Sequence, residues 1–96
     1  ENYKMLHFDK AFITPAAISL KNGLSDYEDV LVTVEKQMLD SADSVFVLAD
    51  SDKFEKTALY RLSPTNSCFT FVTDSGLSDE LKALYKENGI TVIIKG

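Results

Sequence analysis

The apolar residues of this chain fall into short continuous runs, separated by stretches in which they recur every third or fourth position. The runs are Ala11-Phe12-Ile13, Val45-Phe46-Val47-Leu48-Ala49, Phe69 to Val72 broken by Thr70, and Ile90 to Ile94 broken by Thr91. Runs of this length, rich in β-branched and aromatic residues, predict strands. A run without polar alternation, such as 45–49, predicts a strand buried on both faces, as in a parallel sheet. The first strand is expected over 9–14, where Pro15 forces Thr14 out of the helical region. The others are expected from Ser44, over 68–73 and over 90–94.

Between these runs the period changes to that of a helix. Ser25-Asp26-Tyr27-Glu28 has the form of a capping box, with Ser25 at the N-cap and Glu28 three residues on. The helix it opens would carry Tyr27, Val30, Leu31, Val34, Met38 and Ala42 on one face, and core packing accounts for that stripe. A second helix is expected after Ser78, with Asp79 and Glu80 complementing the dipole in its first turn. Leu81, Leu84 and Tyr85 would supply its buried face, and Gly89 suits the left-handed C′ position. Residues 15–23 read as a loop closed by the turn pair Asn22-Gly23. Asp52-Lys53-Phe54-Glu55 can form another capping box, with a short helix from Lys53. Residues 58–62 fit a helix or a strand, ended by Ser63-Pro64, and residues 1–8 read as the tail of a helix.

Strand, helix, strand, irregular segment, strand, helix, strand is the order of an α/β fold. The expected architecture is Rossmann-like and three-layered, a mostly parallel sheet of about four strands flanked by helices. Such a set makes half of a doubly wound sheet with one edge open, which suggests a piece of a longer chain.

Composition narrows the function classes. The 96 residues suffice for one domain. Ten basic against fifteen acidic residues leave a net charge of −5, which argues against nucleic acid or an anionic membrane as a direct partner of this stretch. The single cysteine, Cys68, has no intrachain disulfide partner and fits a reducing, cytoplasmic setting. Its apolar neighbours suggest a buried structural thiol. His7 has no second His or Cys at ligand spacing, so neither a metal site nor a cofactor is expected. No apolar run approaches a membrane span, and no signal peptide is expected. The sequence lacks G-x-G-x-x-G, Walker A and G-x-S-x-G, so no complete catalytic motif can be assembled and an enzyme is not expected.

The candidate chemistry lies just past the run at 45–49. In open parallel sheets, ligands bind beyond the carboxyl ends of the strands. Asp50, Ser51 and Lys53 are released together at such an end, and a helix starting there would aim backbone N–H groups and a lysine at an anion. Strand termination explains Asp50 and Ser51 equally well, and capping suffices for Asp52. Asp74-Ser75-Gly76 forms a similar polar end after the third strand. Asp50, Thr73 and Lys95 also imitate the Asp, Ser/Thr and Lys set of response-regulator receiver domains. Those domains, however, carry an acidic pair where Thr14-Pro15 stand here.

Several segments in collinear order resemble one family. D-K-A-F-I (9–13), A-I-S (17–19), G-L (23–24), M-L-D-S-A (38–42), L-A-D-S-D-K-F (48–54), A-L-Y-R-L-S-P (58–64), F-V-T-D-S-G-L (71–77) and E-N-G-I-T-V-I (87–93) look like the carboxyl-terminal effector-binding domain of DeoR-family bacterial transcriptional regulators. The resemblance implies a fold similar to part of ribose-5-phosphate isomerase and a phosphorylated sugar or sugar intermediate as ligand. It also implies a homo-oligomer and a DNA-binding winged helix in a separate amino-terminal domain. Carried onto matching positions, Asp50, Ser51 and Lys53 would hold the ligand, with Lys53 on its anionic group. Thr14 and Ala16, in the loop after D-K-A-F-I, would form the opposing wall. The alternatives are a fragment of a phosphosugar isomerase-like enzyme and an oligomerisation module with a decayed pocket. The sequence departs from the family in that wall, where a glycine-rich G-A-x-G-I-S is replaced by Thr14-Pro15-Ala16-Ala17-Ile18-Ser19. Pro15 removes an N–H donor and the alanines add Cβ atoms. Thr33 and Glu35 also stand where the family tends to have an acidic and then a basic residue.

Overall fold

The computed structural model describes residues 8–65 and 68–95. The expected helix tail over 1–8 lies outside them except for Phe8, which opens the first strand. The elements are β1 (Phe8–Ile13), β2 (Ala17–Ser19), β3 (Gly23–Asp26), α1 (Asp29–Ser41), β4 (Ala42–Leu48), a 3-10 turn (Ser51–Lys53), β5 (Tyr60–Ser63), β6 (Phe69–Thr73), α2 (Asp79–Glu87) and β7 (Thr91–Ile94).

Strands β1, β4, β6 and β7 form a parallel sheet in that spatial order, which is also their order along the chain. Right-handed crossovers that all step the same way place their helices on the same face. The packing agrees: Val32 of α1 and Tyr85 of α2 join one buried cluster with Ile13, Val45, Val47 and Phe71. This is the Rossmann-like α/β arrangement expected from the sequence, a four-stranded parallel sheet flanked by two helices. One expectation for β4 fails. Val45 and Val47 are buried, but Phe46 is half-buried and Leu48 is exposed. Among the described residues no helix covers that second face. Phe12 of β1 is 58% exposed there and stacks on Phe46 with ring centroids 5.3 Å apart.

The segment 15–23 is not a plain loop. It contains β2, which pairs antiparallel with β3, and β3 pairs in turn with β5. This small sheet adds Ile18, Leu24 and Leu62 to the same core. It also resolves the ambiguous stretch 58–62 as mainly strand. Gly23 takes φ +81°, and a Cβ at that position would be driven into the backbone of Ser63 and Pro64. Only glycine fits this approach of β3 to β5.

The capping box at Ser25 does not form either. Ser25 lies in β3, is buried, and its hydroxyl accepts a 2.7 Å hydrogen bond from the Ala58 N–H. Helix α1 begins later, at Asp29, with Glu28 in the N-cap position and making no side-chain cap bond. Its buried stripe is shifted accordingly: Val32 is buried and Leu39 packs on the core, while Tyr27 and Val34 are exposed. The other helix follows the sequence closely, with Ser78 Oγ accepting from Leu81 N–H at 3.1 Å and Gly89 at φ +76°. Tyr85 supplies its buried contact, and Leu84 is 40% exposed. Cys68 is exposed rather than buried, because it stands one residue before β6 begins.

Candidate functional site

Because the four strands run parallel, their carboxyl ends share one edge of the sheet, and there they open into a cleft of about 510 Å³. Thr14 and Pro15 after β1 form one side. Ala49, Asp50 and Lys53 follow β4, Thr73 and Asp74 follow in β6 and its end, and Lys95 after β7 closes the far side.

A single 3-10 turn, rather than a helix from Lys53, sets the position of Lys53. Asp50 C=O accepts from Lys53 N–H at 3.0 Å and Ser51 C=O from Phe54 N–H at 3.2 Å. The capping box expected at Asp52 is absent. Asp52 is exposed and sits 3.9 Å from the Lys53 ammonium. An exposed pair at that distance contributes at most about 1 kcal/mol and leaves Lys53 available to a ligand. The residue after Lys53 is an anchor. Phe54 is buried against Phe71 and edge-on to Tyr85, and it bridges to Ile18 of β2. Glu55 then takes φ +61°, turning the chain so that Glu55 N–H and Lys56 N–H both donate to Ile18 C=O. The buried Tyr85 hydroxyl donates to Glu55 Oε2 at 2.8 Å. Burial, and then the Glu55 carboxylate, push the Tyr85 pKa far above its ordinary value, so it stays a donor.

Asp74 holds the ends of β4 and β6 together. Its Oδ2 accepts from Ser51 N–H at 3.0 Å and its Oδ1 from Gly76 N–H at 2.8 Å. Hydrogen bonds from the Ser51 backbone, the Ser51 side chain and Gly76 hold its pKa below the usual carboxylate range. The sequence marks Asp74-Ser75-Gly76 as a polar strand end but does not reveal this clasp, whose partner lies 23 residues away.

Of the residues expected to hold a ligand, the cleft brings together Thr14, Asp50 and Lys53. Ser51 and Ala16 are not among its lining residues. Ser51 is committed to Asp74, and Ala16 N–H donates to Ser25 C=O at 3.1 Å. Pro15 has no N–H, and Ala17 is paired in β2. From this loop only Thr14 and Pro15 line the cleft, and Pro15 presents ring methylenes where a glycine would present an amide. Thr73 is 5% exposed, and its hydroxyl is buried without a hydrogen-bond partner. No cluster of His, Cys, Asp and Glu suited to a metal ion occurs among the described residues.

Comparison with known families decides the lineage. The sequence signature of the DeoR C terminal sensor domain matches residues 1–75. The chain belongs to that family. A putative aga operon transcriptional repressor of Escherichia coli O157:H7 is 31% identical to the sensor domain over 97 residues, covering 100% of this chain and 35% of that protein. The L-fucose operon activator of Haemophilus influenzae is 22% identical over 89 residues (93% of this chain, 36% of the relative). The HTH-type transcriptional regulator IolR of Bacillus subtilis is 28% identical over 86 residues (90% and 34%). The chain thus spans about a third of the length of these curated relatives, all of them named as transcriptional regulators. Its role is that of a sensing part in a DeoR-type regulator. No helix among the described residues is long and apolar enough to cross a membrane.

Proposed function

We propose that the cleft binds a phosphorylated sugar or sugar intermediate, and that binding changes the operator affinity of a separate DNA-binding domain. The convergence of Thr14, Asp50 and Lys53 at the carboxyl edge of the sheet carries this reading. Lys53 takes the phosphate as a compact point charge, and the Asp50 carboxylate accepts from sugar hydroxyls. The Thr14 side faces the ligand from across the cleft. With Pro15 offering no amide there, the phosphate depends on Lys53 more than it would against a glycine-rich wall. The domain senses without turning its ligand over, as part of a homo-oligomeric cytoplasmic regulator. The effector acts by stabilising one arrangement of the oligomer, a shift set by its differential affinity for the two states.

Lys53→Ala in a full-length regulator carrying this domain should abolish the effector response and leave operator binding intact. The readout is operator retardation with and without a phosphosugar panel. An undiminished response in the variant would remove Lys53 from the site. A panel that raises the melting temperature of this chain nowhere would sink the cleft as a ligand site, since a ligand selective for the folded state must stabilise it.

A further inference from the structure

Lys95 has no task in the binding of a single phosphate, yet it lines the cleft. Lys95 follows the last residue of β7, and its backbone N–H donates to Thr73 C=O at 2.8 Å. The pairing of Thr73 with Ile94 sets Lys95 level with Asp74. Asp50 and Lys53 stand past β4, on the other side of β6. Neighbouring strands are ~4.8 Å apart, so the backbone of Lys95 lies two spacings, about 10 Å, from that of Asp50. Lys95 is exposed, and among the described residues its ammonium has no hydrogen bond or ion pair. The carboxylate next to it in the sheet, Asp74, accepts instead from Ser51 and Gly76.

We infer that the cleft has two cationic ends and takes a sugar phosphate that is anionic at both: one bearing a second phosphate or a carboxylate. Lys53 engages one anion; Lys95 engages the other. Asp50, at the Lys53 end of the cleft, accepts from the sugar hydroxyls. The inference rests on the reading of the cleft as a phosphosugar site and adds the chemical class of the ligand.

Titration calorimetry on this chain with three probes separates the two claims. Glucose 6-phosphate has one anionic end, 6-phosphogluconate adds a carboxylate at the other, and fructose 1,6-bisphosphate adds a phosphate. At least one of the two-ended probes should bind about tenfold tighter than glucose 6-phosphate, the increment of one charge-assisted hydrogen bond. Which of them gains identifies the second anion. Lys95→Met should erase the gain and leave glucose 6-phosphate binding in place, while Lys95→Arg retains the gain. Lys53→Met should weaken all three. Equal affinities for one-ended and two-ended probes, or a gain that survives Lys95→Met, would overturn the second end. In that case glucose 6-phosphate binding lost in Lys53→Met leaves the phosphosugar site standing. Absence of binding by all three would take down both. Melting of the unliganded Lys95 variants checks that their fold is unchanged.

Discussion

The hydrogen bond from Tyr85 to Glu55 ties α2 to the segment just after Lys53, and its removal is measurable. Tyr85→Phe keeps the ring that packs edge-on against Phe54 at 5.4 Å and Phe71 at 6.0 Å. It deletes only the hydroxyl that donates to Glu55 Oε2 at 2.8 Å. A hydrogen bond to a charged group contributes about 1.5–3 kcal/mol, but the glutamate is exposed and keeps its bond from Leu20 N–H. The expected loss is therefore nearer ~1 kcal/mol, a melting decrease of about 4–8 °C for a domain of this size. Urea unfolding of Tyr85→Phe, Glu55→Ala and the double variant isolates the pair. A coupling energy below ~0.3 kcal/mol would refute the bond's role, because that is the scatter of independent sites. The same residue predicts a pH dependence. The folded-state pKa of Tyr85 is raised, by burial and then by Glu55, above the unfolded value of 10.0. Below pH 10 both states hold the proton and its stabilising contribution is complete. As pH rises past 10 the unfolded chain releases the proton first, so stability falls. Tyr85→Phe should remove that part of the alkaline slope.

Two further substitutions probe the frame around the site. Gly23→Ala places a Cβ at φ +81° against the backbone of Ser63 and Pro64, which cannot swing aside as a side chain can. The left-handed conformation alone costs about 1–2 kcal/mol, so a total above ~2 kcal/mol is expected in urea unfolding; a loss under ~1 kcal/mol would mean that β3 and β5 separate freely. Glu35 is half-buried with Oε1 unpartnered, and burial, then the charge of Asp26, raise its pKa. Its neutral form is thus favoured in the folded state, and that contribution is lost as pH rises through the raised pKa. Glu35→Gln should stabilise the domain at neutral pH and lose its advantage below about pH 4.5. Parallel pH profiles for the two proteins would contradict this.

What the sequence conveyed was the part of the fold governed by local pattern. Val45, Val47, Phe69 and Phe71 read as strands from their neighbours alone, and Ser78 and Gly89 bracket a helix through contacts within a few residues. The failures share a cause. Ser25 has every local mark of an N-cap, but its hydroxyl is taken by Ala58, 33 residues on. The three residues of β2 become a strand only because β3 returns beside them. Phe46 and Leu48 read as interior because they are apolar, whereas the sheet face they occupy carries no helix among the described residues. The site followed the same division. Asp50 and Lys53 are legible at a strand end, while Asp74 acquires its role from Ser51 across the sheet. Ala16 and Ser51 look available in sequence and are spent in structure.

The spatial order of the parallel sheet, identical to its order along the chain, bears on assembly during synthesis. No strand has to be inserted between two that already pair, so each can dock on the edge its predecessor left open. Domains form from the amino terminus as the chain emerges, and this topology lets the sheet grow in one direction as it does so. The cleft is then built wall by wall: Thr14 first, Asp50 and Lys53 next, the Asp74 clasp after them. Lys95, just past β7, arrives when every other lining residue among those described is already in place.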